Sequence, residues 1–479
     1  MLPLAVAASW MASCTAAFGP GYAIETQEIH VHFAAAAQPK IYVDALYQLR
    51  NTGNQPISSL ELRLPARRSF HLENALAAWD GASLSGAVSP ANPRDTVFDL
   101  PQRWSISERH TLHLAAEFLP SAAGESGFAF TSDAFFLPSE GWAPELLPAR
   151  GLFATGGIPP QQWRLSVRVP QGFLVHTSGR SAKTSRSANE ITVQSVQTPD
   201  DTYPFVIAGA YRETALETGV GKVLLWTHAN LEAADFHTSL EALTRVVRAY
   251  DATFGNRVNR SQPLWIVACP VLPGCFNTEN SAYAQYLGAQ PGAVSAELAS
   301  ADTLMMDFSG GPPRLAAAAP ALAATWLGYG RNPSFYDQQP PLSAFPAFAS
   351  ALGREAVLGP SARDEAIRRA LQEIPKTTVA RNREDENVLR AKSFLFFYAL
   401  QQRYGPDVFR RAMDHMLSAR RGHGFNLDDL IAAFEQETHQ NVAEFVRLWI
   451  KHPGVPDEFR TRYESSSAAL TTTSKENMP

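Results

Sequence analysis

Ile41-Tyr42-Val43-Asp44-Ala45-Leu46-Tyr47-Gln48-Leu49 alternates apolar with polar or small side chains, and Leu60-Glu61-Leu62-Arg63-Leu64 repeats the alternation a turn later. A period of two sends successive side chains to opposite faces, so each run reads as a strand with one buried face. Between them, Asn51-Thr52-Gly53-Asn54 is turn chemistry. Further runs at Thr111–Phe118, Trp163–Val169, Glu190–Val196 and Phe205–Tyr211 are separated by Pro, Gly and Ser. This many half-buried strands, with almost no helical periodicity, predict an all-β, sandwich-like N-terminal domain over residues 24–213.

After about Thr214 the period changes. Leu240, Leu243, Val247 and Tyr250 fall on one helical face, and the strand Leu264-Trp265-Ile266-Val267-Ala268 follows. Beyond Leu315 the chain reads as helices. One opens at Pro360, with Ser361 expected as its N-cap and Asp364/Arg368 and Glu365/Arg369 as i, i+4 pairs. Another runs from about Asn387 to Arg403 and stops near Gly405, and Pro406 starts the next. Asn426 and Asn441 cap the last two, the second with Glu444 three residues on as a capping box. The Ser/Thr/Ala-rich stretch 461–479 has little to bury and is expected to be disordered. The fold class is therefore α+β and multidomain, with an αβ and helical second domain over residues 214–460.

A length of 479 residues suits two or three domains, and 45% hydrophobic with 18% charged residues is the composition of a folded soluble protein. The net charge is −5 and the basic residues are scattered, so nothing forms the positive stripe that nucleic-acid binding needs. Residues 1–23 are apolar and rich in small side chains, with no Lys or Arg before Lys40. Gly19 and Pro20 interrupt the segment, which reads as a signal-peptide core rather than a membrane span. Met11-Ala12-Ser13-Cys14 resembles a lipoprotein cleavage box, making Cys14 a candidate lipidation site; an ordinary signal with an incidental cysteine is the alternative. Either implies an exported chain, periplasmic, lipid-anchored or extracellular, whose contact with a membrane would run only through an anchor at Cys14. Cys269 and Cys275 bracket a Pro- and Gly-rich loop and are a candidate disulfide, or else two isolated thiols.

The domain order and the C-terminal run resemble a known family. The segment Ser393–Pro456 carries a helix ending Tyr404-Gly405, then Asp407-Val408-Phe409, an Asn426-Leu427-Asp428-Asp429-Leu430 start, and Phe445-Val446-Arg447-Leu448-Trp449-Ile450 before Pro453-Gly454-Val455-Pro456. Upstream, Tyr250-Asp251-Ala252-Thr253-Phe254-Gly255 and Pro263–Pro270 add to the likeness. These are similar to the zinc aminopeptidases typified by aminopeptidase N, a gluzincin family, over roughly residues 24 to 459. The resemblance implies a thermolysin-like second domain, a helix bearing H-E-x-x-H, and a zinc ion whose bound water the Glu activates.

This chain has no H-E-x-x-H. The matching segment is Pro320-Ala321-Leu322-Ala323-Ala324-Thr325-Trp326-Leu327-Gly328, whose last three residues fall where the family has W-F-G. The resemblance thus puts Pro320 and Ala324 at the histidine positions and Ala321 at the general base. The family's third ligand, in N-E-G-F-A, falls on Pro346 within Phe345-Pro346-Ala347-Phe348-Ala349. Its G-A-M-E-N strand, which grips the substrate amine, resembles Gly292-Ala293-Val294-Ser295-Ala296, and its oxyanion tyrosine falls on Arg390. No histidine lies between His237 and His415. The expectation is a pseudopeptidase without cofactor: zinc belongs to the family, but its ligands are absent. Gly292, Ala293, Val294, Ser295 and Arg390 become the candidate groove for a peptide or protein in the former active-site cleft.

Two alternatives stand beside it: a metal-free hydrolase using Ser295, Glu297 and Arg390, and a cell-envelope scaffold that binds through the β domain. His110 and His113 are three apart on a strand, hence on opposite faces, and with Glu117 make a poor ligand set. Gly219-Val220-Gly221-Lys222 lacks the spacing of a phosphate loop, and no G-x-S-x-G is present.

Overall fold

Ile41, Val43, Ala45, Tyr47 and Leu49 are all buried, while Tyr42, Asp44, Leu46 and Gln48 between them face outward, the arrangement their alternation demands. The computed structural model describes residues 21–63, 70–89, 95–120, 131–138, 142–148, 158–198, 204–217, 222–228, 233–255, 263–269, 296–300, 302–308, 311–327, 342, 345–374, 386–419, 426–451, 454–461 and 463. The chain divides into two units, Met1–Tyr211 and Arg212–Pro479.

The first unit contains β1 (Tyr22–Ala34), β2 (Lys40–Asn51), β3 (Ile57–Arg63), β4 (Phe70–Trp79), β5 (Ala82–Leu84), β6 (Gly86–Val88), β7 (Asp95–Trp104) and β8 (Arg109–Pro120). It continues through β9 (Ala134–Leu137), β10 (Glu145–Leu146), β11 (Gln162–Pro170), β12 (Leu174–Thr177), β13 (Arg180–Arg186), β14 (Glu190–Val196) and β15 (Val206–Gly209). Eight strands form one sheet in the order β13-β14-β11-β1-β2-β8-β4-β5; β10-β3-β7-β6 and β12-β15-β9 form two smaller ones. All pairs in the large sheet are antiparallel except β1 with β11, which run parallel with Thr26 opposite Gln162. Leu60, Leu62 and Phe98 of the second sheet and Phe135 and Val206 of the third share one core with Val31, Phe33, Val43 and Tyr47 of the first.

Some buried polar groups in this unit are matched, whereas, among the described residues, the buried indole N–H groups of Trp79 and Trp163 have no hydrogen-bond partner. The Tyr47 hydroxyl donates to the Pro144 carbonyl at 2.8 Å, and the Trp142 indole to that of Pro204 at 3.2 Å. Asn51 closes the β2–β3 turn, accepting from the Gly53 N–H at 3.0 Å while its amide donates to the Trp104 carbonyl at 3.0 Å. Two expected boundaries shift. β1 begins at Tyr22, inside the stretch read as leader, because Tyr22 is fully buried and bonded to the Leu147 carbonyl. The division falls after Tyr211 rather than 213 because Arg212 already pairs with Thr227 of the next unit's sheet.

The second unit opens with β16 (Arg212–Glu217), β17 (Lys222–Thr227), α1 (Ala233–Phe254), β18 (Leu264–Ala268), β19 (Ala296–Ser300) and β20 (Thr303–Met306). Their sheet order is β16-β17-β18-β20-β19, with β17, β18 and β20 parallel and the two outer strands antiparallel to their neighbours. Helices follow: α2 (Gly311–Leu327), α3 (Phe345–Leu358), α4 (Pro360–Glu373), α5 (Glu386–Tyr404), α6 (Pro406–Ala419), α7 (Leu427–Thr438) and α8 (Val442–Lys451). Leu243, Val247 and Tyr250 of α1 enter one core with Ile266 and Leu304 of the sheet and with Phe348, Phe397, Phe409 and Phe434 of the helices. None of the described helices is long and apolar enough to cross a membrane.

Helix ends follow local chemistry. Gly405 adopts φ 85° between α5 and α6, a left-handed angle that favours glycine, and Pro406 follows at the first helical position. Asn426 and Asp429 form a reciprocal capping box, and Asn441 accepts from the Glu444 N–H at 3.1 Å. Ser361 does not cap α4, because the helix already starts at Pro360; Gly359, at φ 92°, occupies the cap position. Arg369 pairs with Glu365 as expected, but Asp364 lies 3.4 Å from Arg363 instead of reaching Arg368. Of the stretch 461–479 expected to be disordered, Thr461 and Tyr463 are helical, with Tyr463 packed half-buried against the core of the second unit, and 462 and 464–479 lie outside the described residues.

Candidate functional site

The sequence of α2, Gly-Pro-Pro-Arg-Leu followed by a nearly all-alanine run, favours a helix and leaves it slim, so neighbouring helices approach closely. It packs against α1, α3, β19 and β20. Tyr250 of α1 fixes the approach. Its buried hydroxyl lies 2.8 Å from the Ala319 carbonyl of α2 and 3.0 Å from the Ala349 carbonyl of α3, sharing one proton between them. Burial raises the Tyr250 phenol well above its ordinary value, so the group stays a donor. On α3, Gly353 lets the helices close: a Cβ there would fall 2.3 Å from the Tyr250 hydroxyl and 2.5 Å from the Ala319 Cβ. Trp326 stacks edge-on against Tyr250 at 5.5 Å.

Ala321 and Ala324 both sit on α2, 3% and 2% exposed. Their buried methyl groups carry no lone pair. Pro320 is in the same helix, where it removes one backbone N–H. Pro346 is the second residue of α3, in a first turn that tolerates proline. Arg390 is the fifth residue of α5, a helix that also packs on α3. The structure therefore makes neighbours of the helices carrying 320–324 and 346, with that of 390 adjoining α3. Gly292, Ala293, Val294 and Ser295 lie outside the described residues; β19 begins at Ala296, paired with Met306 as the outermost strand of its sheet. Glu297 is the next residue along that strand, its Cα opposite Met305.

Cys269, buried at the end of β18, is disulfide-bonded. Cys275 and Cys14 both lie outside the described residues. In the first unit His110 lies 2.5 Å from Asp80 and 3.6 Å from Glu108, and His113 lies 2.7 Å from Asp44, while Glu117 pairs with Lys40. Among the described residues no three His, Cys, Asp or Glu side chains group as metal ligands.

One feature carried no signal in the sequence. Between α1, α3 and α5 lies a pocket of about 480 Å³ whose wall includes Thr253, Glu355, Arg363, Tyr398, Gln401 and Tyr463. Arg363 donates to Glu355 at 3.0 Å and lies 3.4 Å from Asp364. Burial raises the Glu355 carboxyl above its ordinary value, against the opposing pull of Arg363. These residues come from four helices, α1, α3, α4 and α5, and from Tyr463 beyond α8, at no recognisable spacing, so only the folded chain assembles them.

No protein-family model matches the chain, and no curated protein matches it. Solved structures do, and they share the fold of M1 zinc metallopeptidases, a mixed α/β multidomain fold with substantial sheet. The chain is similar to the M1 zinc metallopeptidase from Deinococcus radiodurans at TM-score 0.51 and 17% identity, over 91% of this chain and 95% of that one. A point mutant of the M1 enzyme from Deinococcus radiodurans gives TM-score 0.53 and 17% identity, over 91% and 96%. A two-domain M1 zinc metallopeptidase mutant bound to L-arginine gives 0.52 and 18%, over 91% and 95%. At such identities the likeness establishes fold alone, and chemistry must be argued from residues.

Proposed function

We propose that this protein is a catalytically degenerate M1-type peptidase that binds a peptide or protein and does not hydrolyse it. The observation that carries the reading is the pair of buried methyl groups at Ala321 and Ala324 on α2. The resemblance places these at the general base and at a histidine ligand. Structural zinc binding is worth about 10–16 kcal/mol, supplied by lone pairs on N, S or O. Alanine and proline side chains supply none, so the residues present do not fit the metal and no hydrolytic step is derived through it. Small apolar side chains also leave no buried polar group stranded when the ligands are lost.

Peptide binding finds support in β19, the terminal strand of its sheet among the described residues. An outer strand offers backbone N–H and C=O groups to an added extended segment, with affinity from main-chain bonds. Export is supported by the disulfide at Cys269, a bond that persists in oxidising compartments; a lipid anchor at Cys14 would be one form of it.

The test is elemental analysis of protein purified from zinc-supplemented culture, with aminoacyl reporter substrates assayed alongside. Substoichiometric zinc and no chelator-sensitive cleavage are expected. One zinc per chain, or cleavage abolished by chelator, would refute the reading. Anisotropy of a fluorescent peptide panel then measures binding, and a flat response across the panel would remove the peptide-binding half.

A further inference from the structure

Every residue of β13 is exposed, on both faces of the strand, and β13 is the outermost strand of the large sheet among the described residues. Its far edge therefore offers backbone N–H and C=O groups to an extended segment that can lie beside it. The side chains decide which segment can. Arg180, Lys183 and Arg186 are basic, no Asp or Glu occurs from Gln171 to Asn189, and the whole chain carries a net charge of −5. Among the described residues these three cations form no ion pair. The arginines of β11 do: Arg164 lies 3.3 Å from Glu28 and Arg168 3.6 Å from Glu190.

A β-bulge aims two of the cations together. Residues three apart on an unbroken strand point to opposite faces, but Ser181 pairs with Ser195 and Lys183 with Gln194, so Ala182 is an extra residue. Arg180 and Lys183 consequently share the outer face, in line with Arg164 and Ser166 two strands away. A second copy of β13 added to this edge would set cation beside cation, so the charges guard the sheet against self-pairing. The same charges favour a strand with carboxylates at every second position, whose row would lie beside Arg180 and Lys183. Ser181, Thr184 and Ser185 are small and polar, so an apolar segment finds no matching row to cover. An acidic polysaccharide would engage the charges and leave the backbone edge unused.

We propose that the β13 edge is a docking surface for an acidic extended segment of a partner protein, which adds to the large sheet as a further strand with its carboxylates beside Arg180 and Lys183. The surface belongs to the first unit, on a different sheet from β19 and away from every former zinc position in the chain, so it stands or falls apart from the proposed loss of hydrolysis.

The probe is a short fluorescent peptide alternating threonine with glutamate, titrated against the full chain by anisotropy. Its controls carry lysine in place of glutamate, or keep the glutamates and place a proline at the centre. Saturable binding of the acidic peptide is expected. It should be at least tenfold weaker for the lysine peptide, which has the wrong charge, and for the proline peptide, which keeps the charge but lacks a pairing N–H. Arg180→Glu/Lys183→Glu should weaken the acidic peptide at least tenfold and leave the melting temperature unchanged, since both side chains are exposed. Hydrogen exchange should slow in Arg180–Arg186 on binding. Slowing in Ala296–Ser300 alone would assign the peptide to β19 and overturn this proposal without touching the other. It is overturned equally by no saturable binding, by equal affinity for the proline peptide, by tighter binding of polygalacturonate than of the acidic peptide, or by indifference to the double substitution.

Discussion

Replacing Tyr250 with Phe removes the one proton that links the carbonyls of Ala319 and Ala349. The expected loss is about 1 kcal/mol of stability in the second unit, read as a lower urea midpoint at 222 nm. Gly353→Ala should cost more, about 1–3 kcal/mol, because the new methyl meets the Tyr250 hydroxyl and the Ala319 Cβ inside contact distance. The double variant should cost less than the sum, since losing the hydroxyl relieves part of that clash; additive losses would show that the two residues do not share the contact. Tyr250 was legible in the sequence as one member of a helical apolar face, but its two hydrogen bonds were not, because they depend on helices more than sixty residues further on. Ala321 and Ala324 were legible only through the family's motif, since an alanine in a helix carries no signal of its own. Glu355, Arg363 and Tyr398 were not legible at all, their meaning arising from proximity in space.

At the scale of elements, sequence rules for helix ends worked where one residue decides. Gly405-Pro406 and Asn426 fall at the expected breaks, and Asn426→Ala should cost about 1 kcal/mol, because it frees the Asp429 N–H. Ser361→Ala should be neutral within about 0.5 kcal/mol, since that hydroxyl does not cap α4. The misreading had a physical cause: proline is favoured at the first helical position, so Pro360 already placed the cap one residue earlier, at Gly359. Strands were legible for a complementary reason. Tyr42–Leu49 lies in a sheet with one covered face, and that condition prints alternation directly into the chain. What alternation does not encode is pairing order, so the sequence of strands in the large sheet became visible only in the structure.

For the whole molecule, acid should act on the two units in opposite senses. Hydrogen bonds from Arg109 to Glu25 and from Lys40 to Glu117 hold both carboxyls in the first unit below the ordinary value of 4.5. Such groups support the fold above that value and lose their contribution as pH falls through the depressed one. Glu355 in the second unit is raised by burial, so its contribution is complete below 4.5 and lost as pH rises through its folded value. Calorimetry between pH 7 and 3 should therefore show the first unit's transition falling, with a flatter decline in the Glu25→Gln/Glu117→Gln variant. Identical slopes for variant and parent would contradict the assignment.

The parallel pairing of β1 with β11 bears on how the molecule is made. Glu28 and its partner Arg164 are 136 residues apart in the chain, and loop closure over such a distance slows folding. During synthesis, β1 and β2 can join as a local hairpin while the far side of β1 waits for a strand not yet translated. Until β11 emerges, that open backbone edge is the place where a nascent chain would pair with a neighbour and aggregate.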